Sequence, residues 1–260
     1  MLERTVFPVD IKIIVATHKE YRMPSSSLYV PVQAGAALHE LLPYTGDNSG
    51  DNISEKNKTF CELTCLYWAW KNLPAEYLGL CHYRRYFGLH KKKDLWASVL
   101  TRNEAEKLLT KAPLLLPNKR NYYIETGYSQ YVHAHNEQDL IVTRAILERH
   151  HPAYLAAFDS SLQRTKGHRF NMFLMRRDLL DAYCSWLFSV LFELESRLDI
   201  STYSDYDKRV FGFVAERLLD VWVETNHIPY CECPVLHMES QHWLKKGTAF
   251  LKRKYIRQKK

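Results

Sequence analysis

The order of hydrophobic and polar residues predicts a chain that opens with two short buried strands. Ile11 to Thr17 is an apolar, β-branched run that ends in polar residues, which is typical of a buried strand. Residues 28–33 predict a second strand, which leads into the small residues at 34–37. Small side chains there permit close approach of a ligand or of another part of the backbone.

The next segment predicts a polar loop followed by a buried amphipathic helix. Residues 46–52 contain two glycines together with acids and amides, the residue types that favour turns. Ser54 is a suitable N-cap for a helix that extends to about Asn72, and Pro74 helps to end it. Two interpretations of the loop remain open, a purely structural turn and a contact with a bound nucleotide.

A third strand is predicted at residues 77–83, and two arginines follow it directly. Open α/β sheets bind their ligands at the carboxyl ends of the strands, so the site is expected there. Because neighbouring side chains of an extended segment point in different directions, Arg84 and Arg85 would contact different groups, one a phosphate and the other a carboxylate. The alternative is that both arginines are surface or salt-bridging residues.

The rest of the pattern predicts helices with short strands between them. The predicted helices are a short one within residues 90–111, and others at 136–151, 152–163, 177–198 and 205–224. The predicted strands are residues 112–116, residues 167–175 and a last strand within residues 227–237. Strands that alternate with helices in this way indicate an α/β domain.

Composition and charge suit a packed domain with an anionic partner. Of the 260 residues, 46% are hydrophobic and 13% aromatic, which is ample for a core. The net charge of +7 favours a nucleotide diphosphate, a nucleic acid or an acidic membrane surface as partner. Residues 245–260 hold eight positive charges and no acid. We therefore divide the chain into a domain at 1–238 and a basic amphipathic extension at 239–260, either a membrane-surface helix or a solvated tail.

The six cysteines favour a reducing, cytoplasmic environment. Most of them lie in apolar strand or helix patterns, where a free thiol behaves as a small hydrophobic side chain. Residues 1–10 do not resemble a secretion leader, and the apolar run at 179–194 is too short and too polar to span a bilayer. Residues 227–237 contain two histidines and two cysteines, but their spacing does not match the usual zinc patterns.

Short catalytic motifs give little guidance. The chain has no P-loop, GxGxxG, HExxH or GxSxG sequence, which counts against common kinases, dehydrogenases and hydrolases. Four tyrosines, at positions 122, 123, 128 and 131, crowd the stretch before His135. Aromatic rings beside polar groups suit a sugar ring, and they also suit an ordinary packed loop.

Several segments taken together resemble a bacterial domain family long labelled as of unknown function. That family occurs in capsular and exopolysaccharide loci and includes galactofuranosyltransferases. The matching segments are PVQAGA at 31–36, DNSGDNIS at 47–54, CELT at 61–64, YWAWKN at 67–72, GLCHYRRYF at 79–87, FNMF at 170–173, YCSWLF at 183–188, FGF at 211–213 and ERL at 216–218. Each segment is weak by itself, and the combination is specific.

The resemblance covers roughly residues 10–237 and implies both a fold and an activity. The implied fold is a GT-A-like α/β/α sandwich with a mainly parallel central sheet. The implied activity is transfer of a hexose, galactofuranose being a candidate, from a nucleotide-diphosphate sugar to a saccharide hydroxyl. The expected nucleotide is uridine diphosphate, and the expected acceptor is a polysaccharide or lipid-linked oligosaccharide precursor.

The resemblance leaves metal dependence in doubt. GT-A enzymes usually hold a divalent metal with an Asp-x-Asp sequence at the end of a central strand, whereas this strand leads into His82, Tyr83, Arg84 and Arg85. Guanidinium groups can neutralise a departing diphosphate directly. No metal ligand is therefore assigned, and Mg²⁺ or Mn²⁺ remains an alternative with Asp47 and Asp51 as its ligands.

The strand ends and the resemblance together predict the site residues. The expected donor-binding residues are Arg84, Arg85, His82, Tyr83, Thr17, His18, Gln33 and Asn52. The candidates for the catalytic base are Glu216, His135 and Asp51. A carboxylate on the apolar side of a predicted helix, as Glu216 is, is either paired or functional.

Two other classes of function are weighed against a transferase. A non-catalytic glycan-binding or assembly protein of the same fold would bind sugar without consuming a nucleotide sugar. A nucleic-acid-binding protein would use the basic tail and its aromatic residues, although no nucleic-acid partner is expected. The expected partners are a nucleotide-sugar donor, a saccharide acceptor and the inner membrane face, contacted through the basic C-terminus of a cytoplasmic or peripheral protein.

Overall fold

A computed structural model describes residues 9–239 of the protein. Its strands are β1 Ile11–Thr17, β2 Tyr29–Gln33, β3 Thr45–Gly46, β4 Tyr77–His82, β5 Arg85–Phe87, β6 Leu114–Pro117, β7 Arg120–Asn121, β8 Lys166–Gly167, β9 Phe173–Arg176, β10 Cys231–Cys233 and β11 Val235–His237. Its α-helices are α1 Asn57–Phe60, α2 Leu63–Asn72, α3 Arg102–Leu109, α4 Gly127–Ala134, α5 Glu137–His150, α6 Leu155–Gln163, α7 Arg177–Arg197 and α8 Val210–Thr225. The predicted extension at 239–260 lies, beyond its first residue, outside the described residues.

The central sheet of the described region is mainly parallel. Its strand order is β10-β6-β9-β4-β1-β2-β3, and β9 alone among these seven runs opposite to the others. Neighbouring parallel strands need crossover connections. Helices α1 and α2 lie in the connection that leads to β4, whereas the connections from β1 to β2 and from β2 to β3 contain no helix. The predicted α/β class and mainly parallel sheet are therefore confirmed.

Both faces of the sheet are buried against other elements. Along β1, Ile14 and Ala16 belong to one apolar core and Ile13 and Val15 to another. Successive side chains of a strand point to opposite faces, so a strand that is apolar at every position must be covered on both sides. Residues of α2, α7 and α8 fill the first core and residues of α3 the second. The layers form an α/β/α sandwich, as expected.

A tight reversal after β4 carries the two arginines to the edge of the sheet. His82 pairs with Arg85 across a two-residue turn made of Tyr83 and Arg84. β11 then pairs antiparallel with β5 and covers the turn from the other side. The strand predicted to end at Tyr83 therefore ends one residue earlier, because the chain turns back on itself there.

The helix predicted from Ser54 is broken into pieces, which corrects the sequence-based expectation. A 3₁₀ turn at Ser54–Lys56 is followed by α1 and, after two further residues, by α2. Cys61 has φ 54° and ψ −131°, a conformation through which a helix does not continue. Ser54 does not cap the helix, since its hydroxyl donates to the Asp47 carboxylate. The predicted end at Asn72 is confirmed.

Two further segments differ from their predicted form. The strand expected at 167–175 forms mainly from Phe173 onward, because Phe170 and Asn171 have φ values of 79° and 52°. The helix expected from residue 205 begins as an α-helix only at Val210, after a 3₁₀ turn at Asp207–Arg209. The helices predicted at 136–151 and 177–198 are confirmed as α5 and α7.

The polar loop at 46–52 is organised by Asp47, whose side chain is fully buried. The Asp47 carboxylate accepts N–H groups from Gly35 and Ala36 at 2.9 Å each, and hydroxyl groups from Ser54 and Thr64. Protein donors thus occupy both of its oxygens, which favours the structural interpretation of the loop. At Gly35 the close neighbour is the Asn57 side chain, 2.7 Å from where a Cβ would lie, and not the ligand or backbone segment expected beside these small residues.

Two features considered from the sequence were a membrane-spanning helix and a zinc site at residues 227–237. None of the helices within residues 9–239 is both long and apolar enough to cross a membrane. The two cysteines of the suspected zinc segment lie in β10 as free thiols, Cys233 buried and Cys231 partly buried, and the strand predicted there is followed by a further one, β11. In the same described region, no group of three His, Cys, Asp or Glu side chains is placed to hold a metal ion.

Candidate active site

A cavity of about 690 Å³ opens at the carboxyl ends of β1 and β4. β1 contributes Ala16 and Thr17 to its lining, and β4 contributes His82. The first two turns of α8, including Phe213 and Glu216, form another part of the wall. The volume falls within the range of about 300–1,000 Å³ that is typical of small-molecule sites. The cavity thus lies at the edge of the sheet where the strand pattern predicts a ligand.

The cavity is strongly basic. Six basic side chains, two carboxylates and four histidines line it. The basic residues are Lys58, Arg84, Arg85, Arg120, Arg209 and Arg217, the carboxylates are Glu62 and Glu216, and the histidines are His18, His39, His82 and His135. A cleft lined by an excess of one charge, with walls of low dielectric constant, concentrates ligands of the opposite charge. The lining therefore favours a polyanionic ligand.

Two of these arginines keep buried N–H groups that have no hydrogen-bond partner among the described residues. They are Nε of Arg85 and both Nε and Nη1 of Arg217. Arg217 is 5% exposed, and burial lowers the pKa of both guanidinium groups. The remaining amino group of Arg217 donates to Gln130. Unused donors on a buried cation cost free energy unless a ligand supplies acceptor oxygens, so they indicate where an anion binds.

The two adjacent arginines point to different groups. Arg84 is exposed at the rim, where its guanidinium lies 3.2 Å from the Glu239 carboxylate and 5.0 Å from the ring of Tyr83. Arg85 points inward, and its guanidinium lies 4.5 Å from the ring of Phe170. Arg84 therefore has a carboxylate partner at the rim, whereas Arg85 keeps an unused donor in the wall.

Glu62 lies in the gap between α1 and α2 and faces the cavity. Its Oε1 accepts a hydrogen bond from Asn171 at 2.6 Å and lies 3.7 Å from Nε2 of His82. Burial by itself would raise the pKa of Glu62, but the charge of His82 and hydrogen bonds from His82 and Asn171 lower it to about 2. Glu62 is therefore an ionised, fixed carboxylate at neutral pH.

Strained backbone surrounds Glu62. Cys61 precedes it with φ 54°, and Asn171, which binds it, has φ 52°. Phe170, with φ 79°, places its carbonyl oxygen 3.3 Å from Nε2 of His82. Non-glycine residues pay a conformational penalty at positive φ and are concentrated at functional sites. The strain supports a functional role for this side of the cavity.

His135 is packed among aromatic rings. Its imidazole lies 4.1 Å from the ring of Phe213 and 5.7 Å from that of Tyr206, and its Nδ1 lies 3.5 Å from Asp207. Burial lowers the pKa of His135 to about 4, although Asp207 opposes the shift and Arg217 adds to it. His135 is therefore uncharged at neutral pH.

Glu216 extends from α8 into the cavity and is 25% exposed. Its Oε2 lies 3.6 Å from Nη1 of Arg217. The carboxylate therefore keeps access to a ligand while it remains close to a positive charge. A carboxylate in this position can accept a hydrogen bond, and then a proton, from a hydroxyl group.

Thr17 and His18 line the cavity where β1 ends. The Thr17 hydroxyl donates to the Lys19 carbonyl oxygen at 2.6 Å, which ties down the first turn after the strand. Burial lowers the pKa of His18, and the charge of Arg84 lowers it further.

The fold brings most of the predicted site residues together in this cavity. Besides Thr17 and His18, the predicted residues in the lining are His82, Tyr83, Arg84, Arg85, His135 and Glu216.

Three predicted site residues lie outside this cavity lining: Gln33, Asp51 and Asn52. Gln33 is 2% exposed, and its amide binds the backbone of residues 40 and 42. Asp51 accepts a hydrogen bond from the Tyr67 hydroxyl at 3.2 Å, and the Asn52 side chain donates to a carbonyl within its own loop. These three side chains lie within or beside loops, and they do not share the cavity with the other predicted site residues.

Five charged residues of the cavity were absent from the predicted site: Lys58, Glu62, Arg120, Arg209 and Arg217. Glu62, Arg120 and Arg209 carry no signal in the hydrophobic pattern, since each looks like an ordinary surface residue near the end of an element. Arg217 follows Glu216 directly in the sequence and lies with it in the ERL segment at 216–218 of the family resemblance, and these are the signals that point to it.

The residues present do not suit a divalent metal. His82 to Arg85 stand where an Asp-x-Asp sequence would hold one, and six basic side chains line the cavity. Asp47 is engaged by four protein donors, and Asp51 lies outside the lining. A dication would therefore meet repulsion from the basic side chains, and the two carboxylates of the lining, Glu62 and Glu216, do not belong to a group of three metal-ligating side chains within the described residues.

Comparison with known proteins identifies the family. A family model described as a domain of unknown function, DUF4422, matches residues 12–227. None of the curated proteins matches. A solved structure of WbbM, a bifunctional glycosyltransferase in its apo form, matches with a TM-score of 0.80 and 27% sequence identity. The match covers 89% of this chain and 46% of that one, so this chain spans less than half of the length of WbbM. The shared architecture is a GT-A-like α/β/α sandwich, and the chain belongs to the DUF4422 family.

Proposed function

We propose that the protein is a glycosyltransferase that moves a hexose from a nucleoside-diphosphate sugar to a hydroxyl group of a saccharide. The observation that carries the proposal is the set of unpartnered buried donors of Arg85 and Arg217 in a basic cavity at the strand ends. A diphosphate supplies the acceptor oxygens that these donors lack. The likeness to WbbM, which is a glycosyltransferase, supports this class of reaction.

The leaving group sets the main demand on the site. The bond between the anomeric carbon and the diphosphate oxygen breaks, and the diphosphate departs with the electron pair. Charge-assisted hydrogen bonds from buried donors strengthen as that negative charge develops. Arg85 and Arg217, which line the cavity, are the residues proposed to donate these hydrogen bonds, and Arg84 is proposed to add a further one from the rim.

The acceptor hydroxyl must lose its proton as its oxygen bonds to the anomeric carbon. Among the three predicted bases, Glu216 is the one that we favour, because its carboxylate faces the cavity and stays accessible. His135, with a pKa of about 4, is a weak base that is stacked against other rings. Asp51 lies outside the cavity lining.

The donor is proposed to lie with its nucleoside at the end of β1. Thr17 and His18 border that end of the cavity, and the ring of Tyr83 lies 5.4 Å from that of His18. Uridine as the nucleoside and galactofuranose as the hexose are proposals that rest on the family resemblance. The proposed acceptor is a polysaccharide or lipid-linked oligosaccharide precursor at the cytoplasmic face of the membrane, where the basic residues 245–260 would hold the protein.

Release of free nucleotide tests the proposal. The full chain is incubated with a panel of nucleotide sugars, including the furanose form of UDP-galactose, and a membrane-lipid extract as acceptor source. We expect release from one donor at a rate that EDTA does not lower, because arginines neutralise the leaving group. Arg85→Ala should lower kcat/KM by about 100-fold, and Arg84→Ala by about tenfold, by analogy with lost oxyanion donors. Arg144→Ala, at a partly exposed arginine that pairs with Asp159 and lies outside the cavity lining, is the matched control.

Two results would contradict the proposal in different ways. Release that stops in EDTA and returns with Mg²⁺ or Mn²⁺ would overturn the arginine mechanism. No release from any donor, together with no nucleotide binding, would overturn the transferase and favour a non-catalytic glycan-binding protein of the same fold.

A further inference from the structure

Three aromatic side chains form a ledge on the cavity wall beside Glu216. The ring centroids are 5.7 Å apart for Tyr206 and His135, 4.1 Å apart for His135 and Phe213, and 5.3 Å apart for Tyr206 and Phe213. Each of the three residues lines the cavity. We call Tyr206, His135 and Phe213 the aromatic ledge.

Tyr206 is the accessible member of the aromatic ledge. It is 56% exposed although its ring rests on the other two, so part of the ring is open to solvent at the cavity. An exposed aromatic ring in a concave site offers a flat apolar surface to a ligand. Tyr123 is even more exposed, at 81%, but it is not among the residues that line this cavity.

The loop that carries Tyr206 is anchored on both sides. The Tyr203 hydroxyl donates to Oδ1 of Asp139 at 2.8 Å, and the Tyr131 hydroxyl donates to Oδ2 of the same carboxylate at 2.8 Å. Asp139 is 1% exposed, so the loop is pinned to a buried group. Asp207, next to Tyr206, contacts His135. A ring held in this way binds a ligand with little loss of conformational entropy.

The spacing along α8 relates the aromatic ledge to the proposed base. Phe213 and Glu216 are three residues apart, so their Cβ atoms lie about 5–6 Å apart on one helix face. A sugar ring stacked on the ledge would therefore bring its hydroxyls to the Glu216 carboxylate. Arg209 adds hydrogen-bond donors, because its guanidinium lies 5.4 Å from the Phe213 ring. The apolar ledge matches the C–H face of a sugar ring, while the Glu216 acceptor and the Arg209 donors match its hydroxyl groups.

The geometry points to the aromatic ledge as the subsite that binds the acceptor, a neutral sugar ring that stacks on Tyr206 and presents one hydroxyl to Glu216. This inference rests on the proposed function and adds the place and chemical class of the acceptor to it. The nucleoside belongs at the end of β1, where Thr17 and His18 lie.

Direct binding of model glycosides tests the subsite. The probes are octyl β-D-galactopyranoside, octyl β-D-glucopyranoside and octyl N-acetyl-β-D-glucosaminide, with affinity for the full chain measured by saturation-transfer NMR. At least one should bind, and Tyr206→Ala should weaken it by about tenfold through loss of stacking. Tyr206→Phe keeps the ring and should stay within about twofold of the wild type. Tyr123→Ala, at an exposed tyrosine outside the lining, should bind like the wild type.

The affinity for UDP, measured by calorimetry on the same variants, separates acceptor from donor. Tyr206→Ala should change the Kd of the glycoside and not that of UDP. If no glycoside binds, or if UDP binding weakens as much as glycoside binding, the assignment of the ledge to the acceptor is wrong. Glycoside binding that depends on Tyr206, without nucleotide release from any donor, would keep the saccharide subsite and overturn the transferase.

Discussion

At the scale of single residues, the buried arginines of the cavity are the strongest indication of a ligand. Arg85 and Arg217 retain unpartnered N–H groups within the part of the chain that the structure describes. An uncompensated buried charge is strongly destabilising, and a salt bridge to Glu216 at 3.6 Å satisfies Arg217 only in part. A polyanion bound in the cavity would supply acceptors to these N–H groups and remove this cost. The liganded protein should therefore have a higher free energy of unfolding than the unliganded protein.

His135 should make the fold sensitive to acid. Its pKa falls from 6.5 to about 4 on burial, so between these pH values the unfolded chain binds a proton that the folded chain does not. The folded state should therefore lose stability as the pH falls through this window, by about 2 kcal/mol at pH 4.5. His135→Phe lacks this contribution. Urea denaturation at pH 7 and at pH 4.5 measures the free energy of unfolding of the wild type and of His135→Phe. If the difference between the two proteins is the same at both pH values, His135 is not neutral in the folded state.

At the scale of elements, the loop at 46–52 and the broken helix act together. Asp47 ties the backbone after β2 to Ser54 and Thr64, which lie on either side of the break between α1 and α2. That break turns Glu62 toward the cavity, where Asn171 holds it. The loop thus positions the site without belonging to its lining.

The two aspartates of this loop should respond differently to the same substitution. Asp47→Asn replaces a buried acceptor of four hydrogen bonds with a group that carries its own N–H donors, and should lower the free energy of unfolding by roughly 3 kcal/mol. Asp51→Asn changes an exposed residue and should cost less than about 0.5 kcal/mol. Urea denaturation followed by tryptophan fluorescence compares them. Equal losses would mean that Asp47 does not organise the loop.

At the scale of the whole molecule, positive charge is concentrated in the cavity of the described residues and in the sequence of residues 245–260. The cavity has six basic side chains. Residues 245–260 lie outside the described residues, and their charge is known from sequence alone. The first suits a small anion enclosed by the fold, and the second suits an extended anionic surface, whose attraction is weakened by salt.

Deletion of residues 245–260 should separate these two roles. The shortened chain should lose its binding to vesicles that contain phosphatidylglycerol, and should still release nucleotide with a soluble acceptor. Replacement of the exposed Lys91, Lys92 and Lys93 by alanine is the control, and should leave vesicle binding intact. Vesicle binding that survives the deletion would refute the membrane role. Salt-dependent binding of duplex DNA that is lost with the tail would favour the nucleic-acid alternative instead.

The sequence by itself determined several of the elements and the class of fold. β1, β2, α5 and α7 follow from apolar periodicity, which depends on neighbours within a few turns and is therefore visible locally. The place of the site at the end of β4 follows equally well, because strands of an α/β sheet present their carboxyl ends to ligands. The resemblance of short segments indicated the family, and the family match confirms it at that level.

Only the tertiary structure decided which charged groups share the cavity. The helix break at Cys61 brings Glu62 to Asn171, more than 100 residues away along the chain, and no local pattern encodes such a contact. Likewise Gln33 and Asp51 are drawn into loop hydrogen bonds, while Arg217 reaches the cavity from α8. Hydrophobic periodicity records which face of an element is buried. The partners of a polar side chain depend on long-range packing, which exists only once the chain has folded.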